Sequence, residues 1–219
     1  MIAGHATPEG TKKFAKRQEG VSQQNYKIVN DLTLSNIGIG TYLGNPDIET
    51  DKLVEVAVKK SILGGINVID SAINYRAQKA ERSIGNAILQ LINNNDISRE
   101  EIFVSTKNGY ITNDGDIKED LMQYIIREYG KTGIVKEGDI SPGYHCMTLP
   151  YLNDQLERSL KNIGLECIDL MYLHNSVEGQ THIPRDQFLK NLKDVFSFYE
   201  KKRKEGKIRF YGMATWECF

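Results

Sequence analysis

The feature that most constrains this chain is a regular alternation of short apolar segments with amphipathic segments, which starts at about Asn36. The apolar segments are IGIGTYL (Ile37 to Leu43), INVID (66–70), IFVSTK (Ile102 to Lys107), CIDLMYLH (Cys167 to His174) and IRFYGMAT (208–215). Apolar residues recur at helical spacing in ETDKLVEVAVKKSILGG, AERSIGNAILQLI, YLNDQLERSLKNIG and FLKNLKDVFSFYEKKRKEG. Nearly continuous apolar strands separated by helices predict an α/β fold with a parallel sheet covered by helices.

Two segments depart from this alternation. YKIVNDLTLS, which precedes the first apolar segment, predicts a β-hairpin with its turn at Asn30 and Asp31. Residues 108–148 are polar, rich in glycine and longer than an ordinary connection, which predicts a lid or binding loop. An insertion without a role at the site is the alternative. We treat residues 1–219 as a single domain, because a chain of this length can form one well-buried core.

Composition indicates the cellular compartment of the protein and excludes some classes of binding partner. The 28 basic and 29 acidic residues give a net charge of −1, which excludes the global basic signature of a nucleic-acid-binding protein. No apolar run is long enough to span a membrane, and MIAGHATPEGTKK at the start lacks the apolar core of a signal peptide. Cys146, Cys167 and Cys218 form no CxxC pair, which favours a reducing compartment. The sequence therefore predicts a cytoplasmic protein with neither a nucleic-acid nor a membrane partner.

No metal site is predicted. His145 and Cys146 are adjacent and lie near Cys167 and His174 in the chain, but their spacing matches no common set of zinc ligands. His145 is either an ordinary loop histidine or a residue that approaches a substrate from the insertion.

Ionisable side chains occur at the carboxyl ends of three successive predicted strands, at Asp70, Lys107 and His174. Parallel strands bring these ends to one edge, where α/β proteins place their chemistry. Taken singly, each has an ordinary structural explanation: the aspartate as a helix cap, the lysine as a solvent-exposed side chain and the histidine as a hydrogen-bonded core residue. Together with Tyr75, five residues beyond Asp70, they form a complementary set.

This set suits a proton donor to a carbonyl oxygen. A phenol normally titrates near ~10, and we expect the ammonium group of Lys107 to lower the pKa of Tyr75. Asp70 would keep Lys107 charged and oriented, and His174 would hydrogen-bond the same substrate oxygen. Such a site stabilises an oxygen that is becoming an alkoxide.

These residues lie in stretches that resemble the aldo-keto reductase superfamily. The matching stretches are GIGTYL, GGINVIDSAINY, AERSIGNAI, FVSTK, LERSLKNIGLECIDLMYLHN and GKIRFYGMAT. The resemblance implies a (β/α)8 barrel that reduces aldehydes and ketones with a nicotinamide cofactor, usually NADPH. No G-x-G-x-x-G motif is present to suggest a Rossmann domain.

The resemblance also implies roles for individual residues. Tyr75 is the implied general acid, and Asp70, Lys107 and His174 complete a catalytic tetrad. The implied contacts to NADP(H) are Gly40, Thr41, Tyr42, Asp70, Asn175 and Thr215.

Three departures from the family pattern stand out. Family members often carry Ser-Asn after the glycine of the last strand, where this chain has Met213 and Ala214 before Thr215. Arg76 replaces the glycine that often follows the tyrosine. The insertion at 108–148 is also longer than the usual connection, and we expect it to shape the substrate pocket.

The sequence reaches only a fifth barrel strand, so we expect a partial barrel of about five parallel strands. A fragment of a longer product is our main interpretation; a second chain that supplies the rest, a homo-oligomer and an open sheet are the others. We expect such a chain to bind NADPH poorly and to turn over slowly.

Two functions follow from the sequence. The first is an NADP-dependent oxidoreductase that reduces an aldehyde or a ketone. The second is a non-catalytic barrel that acts as a regulatory or structural cofactor-binding subunit. The intact tetrad favours the enzyme, whereas the missing strands favour the subunit.

Overall fold

A parallel sheet forms the centre of the protein, and its strands follow one another in chain order. The computed structural model describes residues 1–216. The strands are β1 (Tyr26–Val29), β2 (Leu32–Ser35), β3 (Ile39–Gly40), β4 (Val68–Asp70), β5 (Phe103–Asn108), β6 (Ile168–His174) and β7 (Ile208–Ala214). Five of them pair in the order β3-β4-β5-β6-β7, and every pair is parallel.

One helix precedes the first strand, and the others lie between consecutive strands of the parallel sheet. The helices are α1 (Pro8–Arg17), α2 (Ile48–Leu63), α3 (Lys79–Asn93), α4 (Leu121–Ile125), α5 (Leu149–Ile163), α6 (Ser176–Gly179) and α7 (Arg185–Lys204). All six residues of β5 are buried, because this central strand is covered on both faces. The predicted α/β fold with about five parallel strands is confirmed, and the sheet does not close into a barrel within the described residues. The division into one domain over 1–219 stays a prediction.

The predicted N-terminal hairpin is confirmed. β1 and β2 pair antiparallel, and the turn residues Asn30 and Asp31 have φ angles of 48° and 66°. Two consecutive left-handed residues are what a tight type I′ hairpin turn requires, and Asn and Asp tolerate them well.

The first strand of the sheet is much shorter than predicted. Ile37 to Leu43 was expected to be extended throughout, whereas β3 contains only Ile39 and Gly40. β3 is an edge strand that pairs with β4 alone among the described strands. The chain then turns away at Thr41, whose hydroxyl group donates to the carbonyl oxygen of Asp70.

A buried ion pair fastens the opposite edge of the sheet, at the amino ends of the strands. Asp169 Oδ2 accepts hydrogen bonds from Arg99 Nη2 at 2.6 Å and from the Val104 amide at 2.8 Å, and Asp169 Oδ1 accepts one from the Ala6 amide at 2.7 Å. A buried carboxylate is tolerated only when it is paired and hydrogen-bonded in this way. The contact fixes the N-terminal segment below the strands.

The insertion at 108–148 is folded rather than extended. It contains α4 and a π-helical turn (Ile126–Gly130), and its Tyr124 and Tyr129 are fully buried. Tyr129 packs edge-on against Tyr124 and against Tyr151 of α5, with ring centroids 5.8 and 5.3 Å apart. Most of the insertion therefore belongs to the layer outside the sheet. Its two ends, joined by a β-bridge between Tyr110 and His145, reach the carboxyl edge.

Replacing Tyr129 should show how strongly the insertion is anchored. Tyr129→Ala should lower the free energy of unfolding by about 3–5 kcal/mol, because it leaves a cavity between α4 and α5. Tyr129→Phe keeps the ring and loses the hydrogen bonds of the hydroxyl group with Gln155 and Tyr124, which should cost about 1–2 kcal/mol. Urea unfolding measures both. Equal losses for the two variants would contradict a packing role.

Within residues 1–216, no helix combines the length and the apolar character needed to cross a membrane.

Candidate active site

An ion pair between Asp70 and Lys107 lies at the centre of the carboxyl edge. Lys107 Nζ is 2.6 Å from Asp70 Oδ2 and donates to the Ser71 carbonyl oxygen at 2.7 Å. The second carboxylate oxygen of Asp70 accepts from the hydroxyl group of Ser105 at 2.8 Å. The register of β4 with β5 places these residues on adjacent strands, so the pair is built into the sheet. The Lys107 side chain is only 8% exposed, and Asp70 provides its counter-charge.

Tyr75 lies over this ion pair. Lys107 Nζ is 4.9 Å from the centre of the Tyr75 ring, a cation–π contact. Tyr42 and His174 pack edge-on against the same ring, with centroids 5.0 and 5.7 Å away. The structure thus brings together all four residues of the predicted tetrad.

The electrostatics of Tyr75 differ from the expectation. Burial, the charge of Asp70 and the neighbouring Tyr42 raise the pKa of Tyr75 to about 12, whereas we expected Lys107 to lower it. The physical reason is that Lys107 is already neutralised by Asp70 and contacts the face of the ring. Tyr75 is therefore protonated at neutral pH.

The loop after Tyr75 explains one departure from the family pattern. Arg76, Ala77 and Gln78 have φ angles of 52°, 52° and 71°, a left-handed conformation that glycine adopts without strain. Arg76 remains in this conformation because its buried guanidinium pairs with Asp51 and donates to the Asn45 carbonyl oxygen at 3.0 Å. The ion pair offsets the backbone strain.

His174 ends β6 beside Tyr75. Its ring packs edge-on against Tyr110, with centroids 5.1 Å apart. The Nδ1 atom is buried and has no hydrogen-bond partner within the part of the chain that the structure describes. Burial, Lys107 and His145 lower the pKa of His174 to about 4. The imidazole is therefore neutral at physiological pH and can donate one hydrogen bond.

Asp70, one of the residues expected to contact the cofactor, is engaged with Lys107 and Ser105, and the other five fall into two groups. Gly40, Tyr42 and Asn175 lie open to the edge or line its cavity: a Cβ atom at Gly40 would meet nothing within 4 Å, and Tyr42 is 66% exposed. Thr41 and Thr215 use their hydroxyl groups within the protein. The Thr41 hydroxyl donates to the Asp70 carbonyl oxygen at 3.1 Å, and the Thr215 hydroxyl donates to Glu178 at 2.7 Å.

Asn175 also holds its neighbours. Its backbone amide donates to the Ala214 carbonyl oxygen at 2.6 Å. With the side-chain nitrogen turned toward that same carbonyl oxygen, the side-chain oxygen accepts from Trp216 Nε1 at 3.2 Å. Asn175 therefore connects the ends of β6 and β7 and orients the Trp216 ring.

A cavity of about 510 Å³ opens above the tetrad. It is lined by Tyr42, Asn74, Tyr75, Tyr110, His174, Asn175 and Trp216. Sequence analysis did not identify Asn74, Tyr110 or Trp216. Tyr110 and Trp216 follow predicted strand ends by a few residues, and this position was the one signal that pointed to them.

The other residues weighed for metal binding, His145, Cys146 and Cys167, lie outside the cavity. His145 is fully buried and hydrogen-bonds the His174 carbonyl oxygen and Gln180, and the Cys146 thiol contacts the Thr148 hydroxyl. Cys146 and Cys167 are buried free thiols, and Cys218 lies outside the described residues. His145 does not line the cavity.

The chain is thus an α/β protein of the barrel type, in which helices connect parallel strands. Its carboxyl edge carries a phenol, an ammonium group, a carboxylate and an imidazole beside a polar cleft. A model of the Aldo/keto reductase family matches residues 36–218. The chain belongs to the aldo/keto reductase family.

Individual relatives share only low sequence identity with this chain. The NADH-specific methylglyoxal reductase of Escherichia coli is 26% identical over 190 residues, which cover 84% of this chain and 49% of that protein. An aldo-keto reductase of Schizosaccharomyces pombe, whose name specifies NADP(+), is 30% identical over 120 residues, which cover 55% of this chain and 25% of that protein.

Solved structures agree with the fold. An aldo-keto reductase from Bacillus halodurans in its holo form aligns with a TM-score of 0.55 at 22% identity, covering 88% of this chain and 50% of that chain. An aldo/keto reductase from Klebsiella pneumoniae, in complex with NADP and acetate, aligns with a TM-score of 0.54 at 22% identity, covering 86% and 48%. The chain spans about half the length of the Escherichia coli relative and of these two solved structures.

The two buried histidines predict a loss of stability in acid. Burial lowers the pKa of His145 and of His174 to about 4, while the unfolded chain binds the proton near 6.5. The unfolded state therefore binds more protons between these values, and the free energy of unfolding falls as pH drops through this window. At 1.36 kcal/mol per pKa unit, each histidine accounts for up to about 3 kcal/mol of this fall in the free energy of unfolding.

Urea unfolding at several pH values between 4 and 7 measures this slope. His145→Gln should flatten it relative to the unchanged chain, because one of the two buried imidazoles is gone. His182→Gln, which alters an exposed histidine, should leave the slope unchanged. An unaltered slope in His145→Gln would show that this imidazole is not held neutral.

Proposed function

We propose that this chain carries the proton-donating site of an NAD(P)H-dependent oxidoreductase that reduces an aldehyde or a ketone to an alcohol. The observation that supports this most directly is the convergence of Tyr75, Lys107, Asp70 and His174 at one edge, beside a cavity, in a chain of the aldo/keto reductase family.

Tyr75 is the general acid in this proposal. Its raised pKa keeps the proton on the phenol oxygen at neutral pH, so the proton is available for transfer to a substrate oxygen that gains negative charge. As the proton leaves, negative charge forms on the phenol, and the ammonium group of Lys107, 4.9 Å from the ring centre, is the positive charge beside it. Asp70 keeps that ammonium charged and in place.

His174 orients the substrate oxygen. A neutral imidazole beside the Tyr75 ring can donate one hydrogen bond to a carbonyl oxygen without competing with Tyr75 for the proton. A donor aimed at an oxygen that becomes negatively charged stabilises the transition state more than the ground state.

The residues at this edge fit the nicotinamide end of the cofactor. The imidazole of His174 and the aromatic face of Tyr42 line the cavity, and the backbone at Gly40 is open at the same edge, since a Cβ atom there would meet nothing within 4 Å. Gly40, Tyr42 and Asn175 would hold the group, while Thr41, Asp70 and Thr215 support the loops around it. When bound, a reduced nicotinamide supplies a hydride to the carbonyl carbon.

We favour NADP(H) as the cofactor on the resemblance noted in the sequence. The names of the relatives differ in this respect, since one specifies NADH and another NADP(+). Comparing the oxidation rates of NADPH and NADH with the same substrate decides between them. A clear preference for NADH would overturn our choice.

We also place the protein in the cytoplasm. Cys146 and Cys167 are free thiols, which is usual in a reducing compartment. Recovery of the native protein from a secreted fraction would contradict this assignment.

Replacing the general acid tests the function. In Tyr75→Phe, reduction of carbonyl compounds, methylglyoxal among them, should fall by about 10²–10⁴-fold in kcat, because the proton donor is lost. KM for the cofactor should stay within a few-fold. Loss of NAD(P)H absorbance measures the rate.

Tyr144→Phe is the matched control, because Tyr144 is an exposed phenol that does not line the cavity. Its rate should equal that of the unchanged protein. A Tyr75→Phe protein as active as the control would overturn the role of Tyr75. Cofactor binding without reduction of any carbonyl compound, in both proteins, would favour the regulatory or structural subunit instead.

A further inference from the structure

The imidazole of His145 fills a narrow space whose two flanking residues have no room for a side chain. Its ring is fully buried between Gly109, just after β5, and Gly179, at the end of α6. A Cβ atom at Gly109 would lie 2.5 Å from His145 Nε2, and one at Gly179 would lie 2.6 Å from His145 Cγ. Both distances are far below van der Waals contact, so two glycines make room for this ring.

The hydrogen bonds of His145 determine which nitrogen carries its proton. Gln180 Nε2, an amide nitrogen that only donates, lies 3.0 Å from His145 Nδ1. Nδ1 therefore accepts, and the proton is on Nε2. That nitrogen donates to the carbonyl oxygen of His174 at 2.8 Å.

These contacts connect the insertion to the active-site histidine. His145 fixes the backbone of His174, and its ring packs edge-on against Tyr110 with centroids 5.2 Å apart. Tyr110 in turn packs against the His174 ring. The His174 imidazole makes no hydrogen bond within residues 1–216, so its orientation depends on its backbone and on the aromatic rings around it.

We propose that His145 is a positioning residue: from the insertion it holds the His174 carbonyl group and the Tyr110 ring, and so sets the orientation of the His174 imidazole in the cavity. The catalytic consequence rests on the proposed function, in which His174 orients the substrate oxygen. The insertion thereby acts on the chemistry without placing His145 in contact with the substrate.

The charged surroundings of the two imidazoles agree with this assignment. Lys107 and His145 lower the pKa of His174 and Glu178 raises it, while burial is the largest effect. For His145, burial again dominates and lowers the pKa, and the His174 carbonyl group and Glu178 raise it. Both imidazoles are consequently neutral at physiological pH, which the observed hydrogen bonds of His145 require.

Two substitutions separate positioning from filling of space. His145→Phe keeps a ring between the glycines but removes the donor to His174, and kcat should fall about 10–100-fold, the range expected when a reacting group is misplaced. His145→Gln keeps an amide donor at a similar reach, and kcat should recover to within about 3-fold of the unchanged protein. KM for NAD(P)H should remain the same in both, since neither contacts the cavity.

A second pair of variants leaves His145 itself unchanged. Gly179→Ala should displace the ring and lower kcat, because the added Cβ atom meets His145 Cγ. Gly143→Ala in the same insertion is the control, since its Cβ atom would have only one neighbour, Ser141 Oγ at 3.8 Å. Full activity in both His145→Phe and Gly179→Ala, with normal unfolding midpoints, would overturn the proposal.

Nitrogen NMR of the His174 imidazole gives a readout that needs no turnover. The unchanged protein and His145→Gln should each show one set of His174 resonances, whereas His145→Phe should show broadened or multiple sets. If this pattern appears but the protein reduces no carbonyl compound, the positioning holds and the proposed function fails. If carbonyl reduction is found but the His174 resonances of His145→Phe stay single and sharp, the positioning fails.

Discussion

The buried ammonium group of Lys107 is the constraint on which the candidate site depends. An unpaired charge at this depth would be costly, so the neighbouring strand must supply a carboxylate and the following loop a carbonyl oxygen. Asp70 and Ser71 meet this requirement at 2.6 and 2.7 Å. Because the pairing of β4 with β5 delivers these groups, the geometry of the site is a consequence of the sheet. Tyr75 then packs on the paired ammonium, while burial, the charge of Asp70 and the neighbouring Tyr42 raise its pKa.

A second layer of support comes from the loops. The three left-handed residues after Tyr75 are held by the ion pair of Arg76 with Asp51, and His174 is held through His145 and Tyr110. Both devices place strained or buried polar groups next to the cavity and compensate for them with partners outside it. Such compensation is common where a fold must present unpaired polar atoms to a ligand.

Much of the site could be predicted, because strand ends are visible in the sequence. Apolar strands that end on Asp70, Lys107 and His174 place those residues on one edge of a parallel sheet, and the structure brings them together with Tyr75. The direction of the Tyr75 pKa shift could not be predicted. It depends first on how deeply the phenol is buried, and then on how close Asp70 and Tyr42 come to it, which sequence spacing does not specify. The hydroxyl groups of Thr41 and Thr215 are a similar case, since both are engaged within the protein.

The sequence by itself determined the order of the five strands of the parallel sheet and of the four long helices α2, α3, α5 and α7, because apolar periodicity depends only on which faces must be buried. It also determined which ionisable residues end the strands. Only the tertiary structure decided that β3 is short, that the insertion packs its tyrosines on α5, and that His145 lies between two glycines beneath His174. These features depend on contacts between residues tens of positions apart in the chain, such as His145 with His174. Local patterns of hydrophobicity do not specify which distant residues come into contact.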